Sequence, residues 1–416
     1  MGKRAGRVVI RDVDVVDPES GTVAVGVTIV VEGGVIRAVE DGRVVIGDGD
    51  DVIEGGGLTA LPGLIDCHVH VTAVVADLSE LRNMSPSYAA LKTADVLRGM
   101  LRRGFTTVRD AAGADYGLAA AIDEGLVEGP RVLYGGPALS QTGGHGDIRA
   151  VGDRAPWDGF RFPSHAVICD GVTEVRRASR HVLRTGAHHI KLMVSGGVAS
   201  PTDRVESTQF SADEVRAAVE EAAAVGRYVM AHAYTGDAVT RAVGQGVRSI
   251  EHGNLIDDAA CEAMAAQGSY LVPTLVTYRA LADEGVAQGL SATSREKVDH
   301  VLESGLRALE RASRFGVKIG FGTDLLGEMH RHQAEEFAIR ADVMSPLEVL
   351  RSATTTAAEL VGMSDRIGRL SPGLVADIIL VDRNPLEDVS VLANPRDHLK
   401  VILKGGRVVE GGVGCR

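Results

Sequence analysis

The stretch Leu64-Ile-Asp-Cys-His-Val-His-Val71 decides the fold more than any other part of the chain. An apolar run that ends in His-x-His predicts a buried strand with two imidazoles at its end. Because residues two apart in a strand point to the same face, His68 and His70 project from one side. Two neutral imidazoles on one rigid face can bind a single metal ion. Two ordinary histidines near a strand end are the alternative, so the rest of the chain must supply further ligands.

Length and composition exclude several classes of protein. The 416 residues are enough for one large barrel with an accessory domain. The net charge of -12 argues against nucleic acid and anionic membrane surfaces as partners, because both need a basic surface. The four cysteines are scattered, and no apolar run of about 20 residues or signal-peptide pattern is found. These features predict a cytoplasmic protein without disulfides.

The two ends of the chain have a similar composition and a similar pattern of residues. Residues 7–60 and 376–409 are rich in valine and interrupted by glycine, which predicts short strands joined by turns. We therefore expect residues 1–60 and 368–416 to form one composite β-sandwich domain. The remaining segment, 61–367, is expected to be a separate metal-dependent hydrolase domain.

Between these ends, short apolar runs alternate with alanine-rich helical segments, which is typical of a parallel sheet. Eight strands are predicted, at residues 61–67, 106–109, 131–133, 189–194, 228–231, 249–251, 270–272 and 318–322. Helices are predicted between most of them, including residues 89–103, 212–225, 238–245 and 294–315. Eight such units predict the α/β class and a (β/α)₈ TIM barrel, whose chemistry lies at the carboxyl ends of the strands.

Residues that can bind metal occur on five of these predicted strands, at or near their carboxyl ends. They are His68 and His70 on the first strand, Lys191 on the fourth, His232 after the fifth, His252 after the sixth and Asp324 after the eighth. Any one of these histidines alone would more often have a structural role. Because the carboxyl ends of barrel strands meet at one face, the six together predict a metal centre.

Lys191 lies inside the apolar run His188-His-Ile-Lys-Leu-Met-Val194. A buried lysine is costly unless it is paired or modified. One interpretation is an ion pair with a neighbouring carboxylate. The other is carboxylation of the neutral amine by carbon dioxide, which gives a carbamate that bridges two metal ions.

The ordered set of His-x-His, Lys, His, His and Asp resembles the amidohydrolase superfamily, in its binuclear form with a carboxylated lysine. The stretches Leu61-Pro-Gly-Leu-Ile-Asp-Cys-His-Val-His70 and Ile367-Gly-Arg-Leu-Ser-Pro-Gly-Leu-Val-Ala-Asp377 extend this resemblance over essentially the whole chain. Within the superfamily, the chain is most similar to the prolidase-like and Xaa-Arg(Lys) dipeptidase group, which includes ochratoxin-degrading amidases. Five stretches carry this finer resemblance: Gln141-Thr-Gly-Gly-His-Gly-Asp147, Ile190-Lys-Leu-Met-Val-Ser-Gly-Gly197, Ser200-Pro-Thr-Asp203, His232-Ala-Tyr-Thr-Gly236 and Gly320-Phe-Gly-Thr-Asp324.

The resemblance implies two divalent metal ions, and zinc suits a set of imidazole and carboxylate ligands. It assigns His68, His70 and Asp324 to the first ion, His232 and His252 to the second, and the carbon dioxide-derived carbamate on Lys191 to both. A hydroxide that bridges the ions would attack the amide. Asp324 would act as general base and then as general acid toward the leaving nitrogen.

Three residues are expected at the substrate. His145 lies in a glycine-rich loop and is suited to polarising the scissile carbonyl, the alternative being a loop histidine without a role. The resemblance places Tyr234 near the terminal carboxylate of the substrate, and Arg204 would add a charged contact there. A core tyrosine and a surface arginine are the plain alternatives. Selectivity is expected to depend on loops around residues 278–289 and 327–333.

Four other residues near the predicted ligands are expected to bind neither metal nor substrate. His189 neighbours the strand of Lys191 and is expected to support the ligands. His330 and His332 are expected at the mouth of the site or in solvent. Glu251 faces the other side of its strand from His252, which predicts a packing or pairing role.

The leading hypothesis for function is hydrolysis of a peptide bond by a dipeptidase or carboxypeptidase such as a Xaa-Pro dipeptidase. The alternatives are an amidase on N-acyl amino acids such as ochratoxin A, and a cyclic-amide hydrolase of the imidazolonepropionase type or a deaminase. Imidazolonepropionases typically use one metal and lack the lysine. A non-catalytic barrel is disfavoured because no ligand is missing. The expected partners are a small-molecule or dipeptide substrate, with neither nucleic acid nor membrane, and further copies of the chain in a homo-oligomer.

Overall fold

The computed structural model describes residues 6–42, 44–153, 159–200, 203–289 and 292–410. Residues 201 and 202, which belong to the quoted stretch 200–203, lie outside these ranges. Residues 1–5 and 411–416, at the two ends of the predicted sandwich domain, also lie outside them. Among the helices within the described ranges, none combines the length and the apolarity needed to cross a membrane.

The strands in these ranges are β1 (Val8–Val16), β2 (Val23–Glu32), β3 (Val35–Glu40), β4 (Asp51–Pro62), β5 (Leu64–Val69), β6 (Phe105–Asp110), β7 (Arg131–Tyr134), β8 (Ala138–Ser140), β9 (Ala166–Ile168), β10 (His189–Met193), β11 (Tyr228–Thr235), β12 (Ser249–Leu255), β13 (Tyr270–Val272), β14 (Lys318–Ile319), β15 (Ile378–Val381), β16 (Leu399–Lys404) and β17 (Arg407–Glu410). The α-helices are α1 (Pro86–Arg102), α2 (Tyr116–Asp123), α3 (Gly171–Arg184), α4 (Ala212–Ala223), α5 (Gly236–Gly244), α6 (Asp258–Gln267), α7 (Leu275–Glu284), α8 (Ala292–Arg314), α9 (Glu336–Arg340), α10 (Pro346–Ser352), α11 (Thr355–Leu360) and α12 (Pro395–His398). Three 3₁₀ helices span Leu78–Asn83, Gly327–Glu335 and Val389–Ala393.

The chain divides into two compact units, and the first consists of residues 1–65, 99–107 and 337–416. Seven of its strands form one sheet in the order β17-β16-β15-β4-β1-β2-β3. In its centre, β4 pairs in parallel with β1 and antiparallel with β15. Strands from the two ends of the chain therefore belong to one sheet. Their division into the two layers of a sandwich stays a prediction.

β-branched side chains form the core of this sheet. Ile10 and Ile29 lie opposite each other on β1 and β2, and both are fully buried. Ile36 and Ile378 belong to the same cluster. Branched side chains favour the extended backbone, and burying each one contributes about 1.5–3 kcal/mol. This is the physical reason why the valine- and isoleucine-rich ends of the chain predict strands.

The second unit consists of residues 66–98 and 108–336. Its larger sheet has the order β14-β13-β12-β11-β10-β8-β9, with parallel neighbours throughout. Strands β5, β6 and β7 form a separate three-stranded sheet. The Cys67 N–H on β5 donates a hydrogen bond of 2.7 Å to the carbonyl of Phe321, which follows β14. Parallel pairing brings the carboxyl ends of β10, β11 and β12 to one edge.

All eight predicted strands are confirmed, as β5 to β7 and β10 to β14. The four predicted helices are α1, α4, α5 and α8. Strands β8 and β9 were not predicted, because three residues are too few to show a period. The start of α4 follows from a capping box, in which Ser211 Oγ accepts from the Glu214 N–H and the Glu214 carboxylate accepts from the Ser211 N–H.

The expected loops around the site differ from the structure. The expectation of a loop at residues 278–289 is wrong for most of its length, because α7 continues to Glu284. Residues 327–333 lie inside the 3₁₀ helix Gly327–Glu335. Short apolar stretches near a site do not separate helix from loop by period alone.

Candidate metal centre

His68, His70 and Asp324 meet closely enough to bind one metal ion. Their ligand atoms all lie within 4.8 Å of one another. Asp324 Oδ1 is 3.3 Å from His68 Nε2 and 3.2 Å from His70 Nε2. Among the described residues, the buried His68 Nε2 has no hydrogen-bond partner. A buried nitrogen without a partner, aimed at a carboxylate, fits a metal ligand.

The backbone holds these three side chains in place. Alternation along β5 puts the His68 and His70 rings on one face, with centroids 5.4 Å apart. Asp324 has a left-handed φ of 53°, and its N–H donates to the His68 carbonyl at 2.9 Å. A Cβ at Gly322 would lie 2.3 Å from Val272 Cγ1, so the backbone can pass this close to Val272 only with glycine at position 322. Strained backbone held by its surroundings is typical of functional sites.

A second group of predicted ligands lies on three adjacent parallel strands: Lys191 on β10, His232 on β11 and His252 on β12. The His232 and His252 rings are 4.7 Å apart between centroids. His252 Nδ1 is 3.9 Å from Asp324 Oδ2. All three side chains line the same cavity as the first group. The structure therefore brings together all six residues that the sequence predicts as ligands.

Burial and neighbouring charged groups together shift the pKa values of these side chains. Burial lowers the pKa of both His232 and His252 well below 6.5, and neutral imidazole is the form that binds a metal. Burial would raise the pKa of Asp324, but the neighbouring His68 and His70 outweigh it and hold this pKa well below its usual value. The second pair of imidazoles is therefore neutral, and the carboxylate is ionised.

Lys191 is fully buried, and burial lowers its pKa to about 8 although Glu251 and Asp324 oppose the shift. A lowered pKa increases the neutral fraction of the amine, which is the form that reacts with carbon dioxide. Glu251, one of the carboxylates near Lys191, is already engaged, because it contacts both Arg109 and His68. The environment of Lys191 is thus compatible with carboxylation, which stays a prediction.

Glu251 orients the first histidine. Its Oε2 lies 2.7 Å from His68 Nδ1, while its Oε1 accepts from Arg109 at 3.0 Å and from Ser249 Oγ at 2.6 Å. Burial would raise the pKa of Glu251, but Arg109 and His68 lower it far below its usual value. A carboxylate that accepts the Nδ1 proton leaves Nε2 for a metal. Pairing, one of the two roles expected for Glu251, is the one that the structure shows.

The other three histidines each have one ring nitrogen engaged by the protein. His70 Nδ1 lies 2.8 Å from the Ala112 carbonyl, and His252 Nδ1 lies 2.7 Å from Thr274 Oγ1. His232 differs, because its Nε2 lies 2.9 Å from the Gly196 carbonyl. Outer contacts of this kind select which nitrogen remains for a metal. They leave Nε2 on His70 and His252, and Nδ1 on His232.

Two of the three predicted substrate residues, His145 and Tyr234, line the cavity. The His145 ring stacks on His232 with centroids 4.2 Å apart. Burial raises the pKa of Tyr234, so its phenol keeps its proton and can donate a hydrogen bond. Arg204 is not among the lining residues; its side chain is 84% exposed and lies 3.7 Å from Glu206. Its role in binding a carboxylate stays a prediction.

Sequence reasoning missed His165, whereas Tyr278 lies in the segment 278–289 that was expected to affect selectivity. His165 lines the cavity, with Nε2 3.1 Å from Thr72 Oγ1 and its ring 5.5 Å from that of His70. Burial lowers the pKa of His165 to about 3, so it is neutral. It immediately precedes β9, a strand too short to be recognised. Tyr278, whose hydroxyl lies 2.9 Å from that of Tyr234, is on α7.

The remaining histidines lie near the site but differ in exposure. The expectation that His330 is in solvent is wrong, since it is buried with Nε2 3.2 Å from the Ala73 carbonyl; its place at the mouth of the site stays a prediction. His332 is partly exposed and lies 2.7 Å from Glu284. His189 is buried at the start of β10, the strand that carries Lys191, with Nε2 3.0 Å from the Asp110 carbonyl.

The wall of the cavity is largely apolar. Besides the ligands, the side chains that line it are mostly aliphatic: Leu78, Ile148, Met193, Val198, Leu281 and Leu326. Ligand sites typically combine such a wall with a few polar groups that orient the substrate. Here the polar side chains that accompany this wall are His145, Tyr234 and the predicted ligands.

The fold and this cluster define an amidohydrolase, an enzyme class that generally uses divalent metal ions. The Amidohydrolase family profile matches residues 59–408, and the chain belongs to this family. The resemblance found in the sequence is therefore confirmed.

Three similar proteins indicate which amidohydrolases this chain resembles. The ochratoxinase of Aspergillus niger is 36% identical over 369 residues, which cover 85% of this chain and 76% of that protein. A crystal structure of a prolidase complexed with N-methylphosphonate-L-proline is 47% identical, covers 98% of this chain and 100% of its own, and has a TM-score of 0.96. A Xaa-Pro dipeptidase with methionine bound in the active site is 31% identical, covers 97% and 100%, and has a TM-score of 0.88.

Proposed function

We propose that this chain is a binuclear metal-dependent hydrolase that releases a C-terminal residue from an amide, with Xaa-Pro dipeptides as the preferred substrates. The observation that carries the proposal is the meeting of Lys191, four histidines and Asp324 in one cavity. The similarity to a prolidase complexed with a phosphonate of proline supports the choice of substrate.

The residues present fit two metal ions, for which zinc is the proposed identity. His68, His70 and Asp324 would hold one ion and His232 and His252 the other, with carboxylated Lys191 between them. The buried, unpartnered His68 Nε2 and the neutral state of His232 and His252 support this set. When bound, the ions polarise the scissile carbonyl and lower the pKa of water.

A closed eight-stranded barrel is the proposed frame for this site. Its strands would be β5 to β7 and β10 to β14. The hydrogen bond from Cys67 to Phe321 supports closure, because it joins the first of these strands to the segment after the last. The carboxyl ends of all eight strands would then surround the cavity.

Asp324 is the proposed general base and general acid. Because its neighbours keep it ionised, it can accept a proton from the attacking water and deliver it to the leaving nitrogen. His145 is proposed to donate a hydrogen bond to the carbonyl oxygen as negative charge develops there. Both side chains line the cavity.

Tyr234 is proposed to bind the carboxylate of the residue that is released. Its protonated phenol is paired with the hydroxyl of Tyr278 at 2.9 Å, which orients it. A hydrogen bond to a charged group contributes about 1.5–3 kcal/mol. The aliphatic wall would accept the pyrrolidine ring of proline or another apolar side chain.

A dipeptide library tests the proposal. The zinc-loaded protein is incubated with Xaa-Pro, Xaa-Arg and N-acyl amino acids, and the products are identified by mass spectrometry. We expect release of free proline, about two ions per chain by elemental analysis and loss of activity with a chelator. Full activity after removal of the metals would exclude the mechanism, and release of only other residues would exclude the prolidase assignment.

A second candidate is hydrolysis of N-acyl amino acids such as ochratoxin A. The 36% identity to ochratoxinase and the aliphatic cavity wall favour it. Both reactions release a residue with a free carboxylate, so they use the same predicted contacts. The ratio of kcat/KM for Ala-Pro and for an N-acyl phenylalanine decides between them.

A further inference from the structure

A second cavity adjoins the cavity of the candidate metal centre, and we call it the outer cavity. Its volume is about 650 Å³, against about 80 Å³ for the cavity that the predicted ligands line. Leu78, Ile148 and Ala199 line both spaces, and each of them is only partly buried. Ligand sites typically have a volume of about 300–1,000 Å³. Most of a substrate longer than a dipeptide would therefore lie in the outer cavity.

The lining of the outer cavity is more polar than that of the metal centre. Much of it comes from the segment after β5, which includes the 3₁₀ helix Leu78–Asn83, and from the segment between β8 and β9. Five polar side chains of these segments line the outer cavity alone: Asp77, Ser79, Arg82, Asn83 and Asp153. Polar groups of a ligand need hydrogen-bond partners when they leave water. This lining therefore suits the backbone of a peptide better than an apolar group.

The charged side chains of the outer cavity carry a net negative charge. Arg82 and Asp153 form an ion pair, so their charges offset each other. Asp77 caps the 3₁₀ helix, and its Oδ1 accepts from the Ser79 N–H at 2.9 Å. It forms no ion pair with any residue that the structure describes. Its carboxylate can therefore attract a cationic group of a ligand, and the free N-terminus of a peptide is such a group at pH 7.

We propose that the outer cavity binds the N-terminal part of peptides longer than dipeptides, with Asp77 facing their N-terminal ammonium. The chain would then also remove the C-terminal proline from tripeptides and tetrapeptides. This inference rests on the proposed function, because the bond that is cleaved is the same. Water adds across that C–N bond: its hydroxyl gives the shortened peptide a new carboxylate, and its proton goes to the nitrogen of the released proline.

A steric variant tests whether longer peptides occupy the outer cavity. Ala150 lines this cavity but not that of the metal centre, so Ala150→Trp should fill part of it. In the zinc-loaded protein, we expect kcat/KM for Ala-Ala-Ala-Pro to fall about 10-fold or more, and kcat/KM for Ala-Pro to change less than about 2-fold. Val151→Trp is the matched control, because Val151 is 94% exposed and does not line the cavity. Retained activity on Ala-Pro shows that each variant is folded.

A charge variant tests the role of Asp77. Asp77→Asn removes the charge and keeps a side chain that caps a helix equally well. At pH 7 we expect KM for Ala-Ala-Ala-Pro to rise about 2- to 5-fold, with no change for the same peptide acetylated at its N-terminus. The matched control is Asp388→Asn. Asp388 caps another 3₁₀ helix through the same contact, in which Oδ1 accepts from the Ser390 N–H at 2.9 Å, and it does not line the cavity.

Three results would overturn the inference. The native protein could hydrolyse Ala-Pro but no longer peptide, or Ala150→Trp could leave the tetrapeptide unaffected or reduce both activities equally. Equal effects of Asp77→Asn on the free and the acetylated peptide would exclude the contact with the ammonium. If the native protein hydrolyses neither Ala-Pro nor the longer peptides, the proposed function fails as well. Activity on Ala-Pro therefore distinguishes failure of the outer cavity from failure of the proposed function.

Discussion

The two sides of the cavity are built differently. On one side, His68 is carried by a strand and oriented by Glu251, a residue of another strand. On the other, His145 is carried by a loop and faces Asp203, a second loop residue that Lys297 of α8 anchors. Strand geometry places the first side, while side-chain hydrogen bonds place the second. We therefore expect changes on the strand side to affect metal binding, and changes on the loop side to affect turnover.

The largest effect is expected for Lys191→Ala on the strand side. Loss of this proposed bridging ligand should lower the metal content below two per chain and reduce kcat/KM by about 10³-fold or more. Short carboxylates should restore part of both by occupying the vacated position. Elemental analysis and kinetics with added formate or acetate measure this. Lys318→Ala, at an exposed position on β14, is the control, and full activity of Lys191→Ala would remove the carbamate from the mechanism.

Glu251→Gln should show how much the orientation of His68 contributes to metal binding when every predicted ligand is kept. The change leaves all six predicted ligands but removes the charge that contacts both Arg109 and His68. We expect metal affinity to fall about 10- to 100-fold, and stability to fall by about 3–5 kcal/mol because the buried Arg109 loses the negative charge of Glu251. Chelator competition and thermal unfolding measure the two effects. Glu220→Gln, which changes an exposed ion pair, should alter neither.

Gly197→Ala tests the loop side without changing a polar group. The added Cβ requires the His145 ring to move, so kcat should fall about 10- to 100-fold while the metal content stays at two. The matched control is Gly244→Ala on α5, where nothing lies within 4 Å of the added Cβ. A loss of metal in Gly197→Ala would mean that the two sides are not independent.

Tyr234→Phe should have the smallest effect, because Tyr234 is strand-borne but is not a ligand. We expect KM for Xaa-Pro to rise about 10-fold, with unchanged metal content, since one hydrogen bond to a charged group is lost. A substrate with an amidated C-terminus should show little change. Equal losses for both substrates would contradict the carboxylate role. Tyr116→Phe, at a 64% exposed position, is the control.

Much of the strand side could be predicted from the sequence. Apolar runs of five to eight residues with a histidine or lysine near the end locate β5, β10, β11 and β12 and the side chains they carry. Glu251 was expected to pack or pair, but its partners Arg109 and His68 could not be named, because they come from other strands. The contacts on the loop side were harder to predict, since Asp203 and Lys297 are ordinary charged residues 94 positions apart.

The errors in the predictions from sequence also have physical causes. His165 was overlooked because β9 has only three residues, and α7 was expected to be largely a loop because a short apolar segment has no decisive period. Arg204 was expected near the substrate because of its place in the chain. Its side chain lies in solvent beside Glu206, and its role in binding a carboxylate stays a prediction.

The sequence by itself determined the types of ligand, their order and their positions near strand ends, because hydrophobic period and strand direction are local properties. The tertiary structure alone decided which groups stand behind those ligands. Glu251 contacts His68 across 183 residues, and Lys297 reaches the Asp203 loop from α8. Such contacts depend on how loops and helices pack around the strands, and no local pattern encodes that packing.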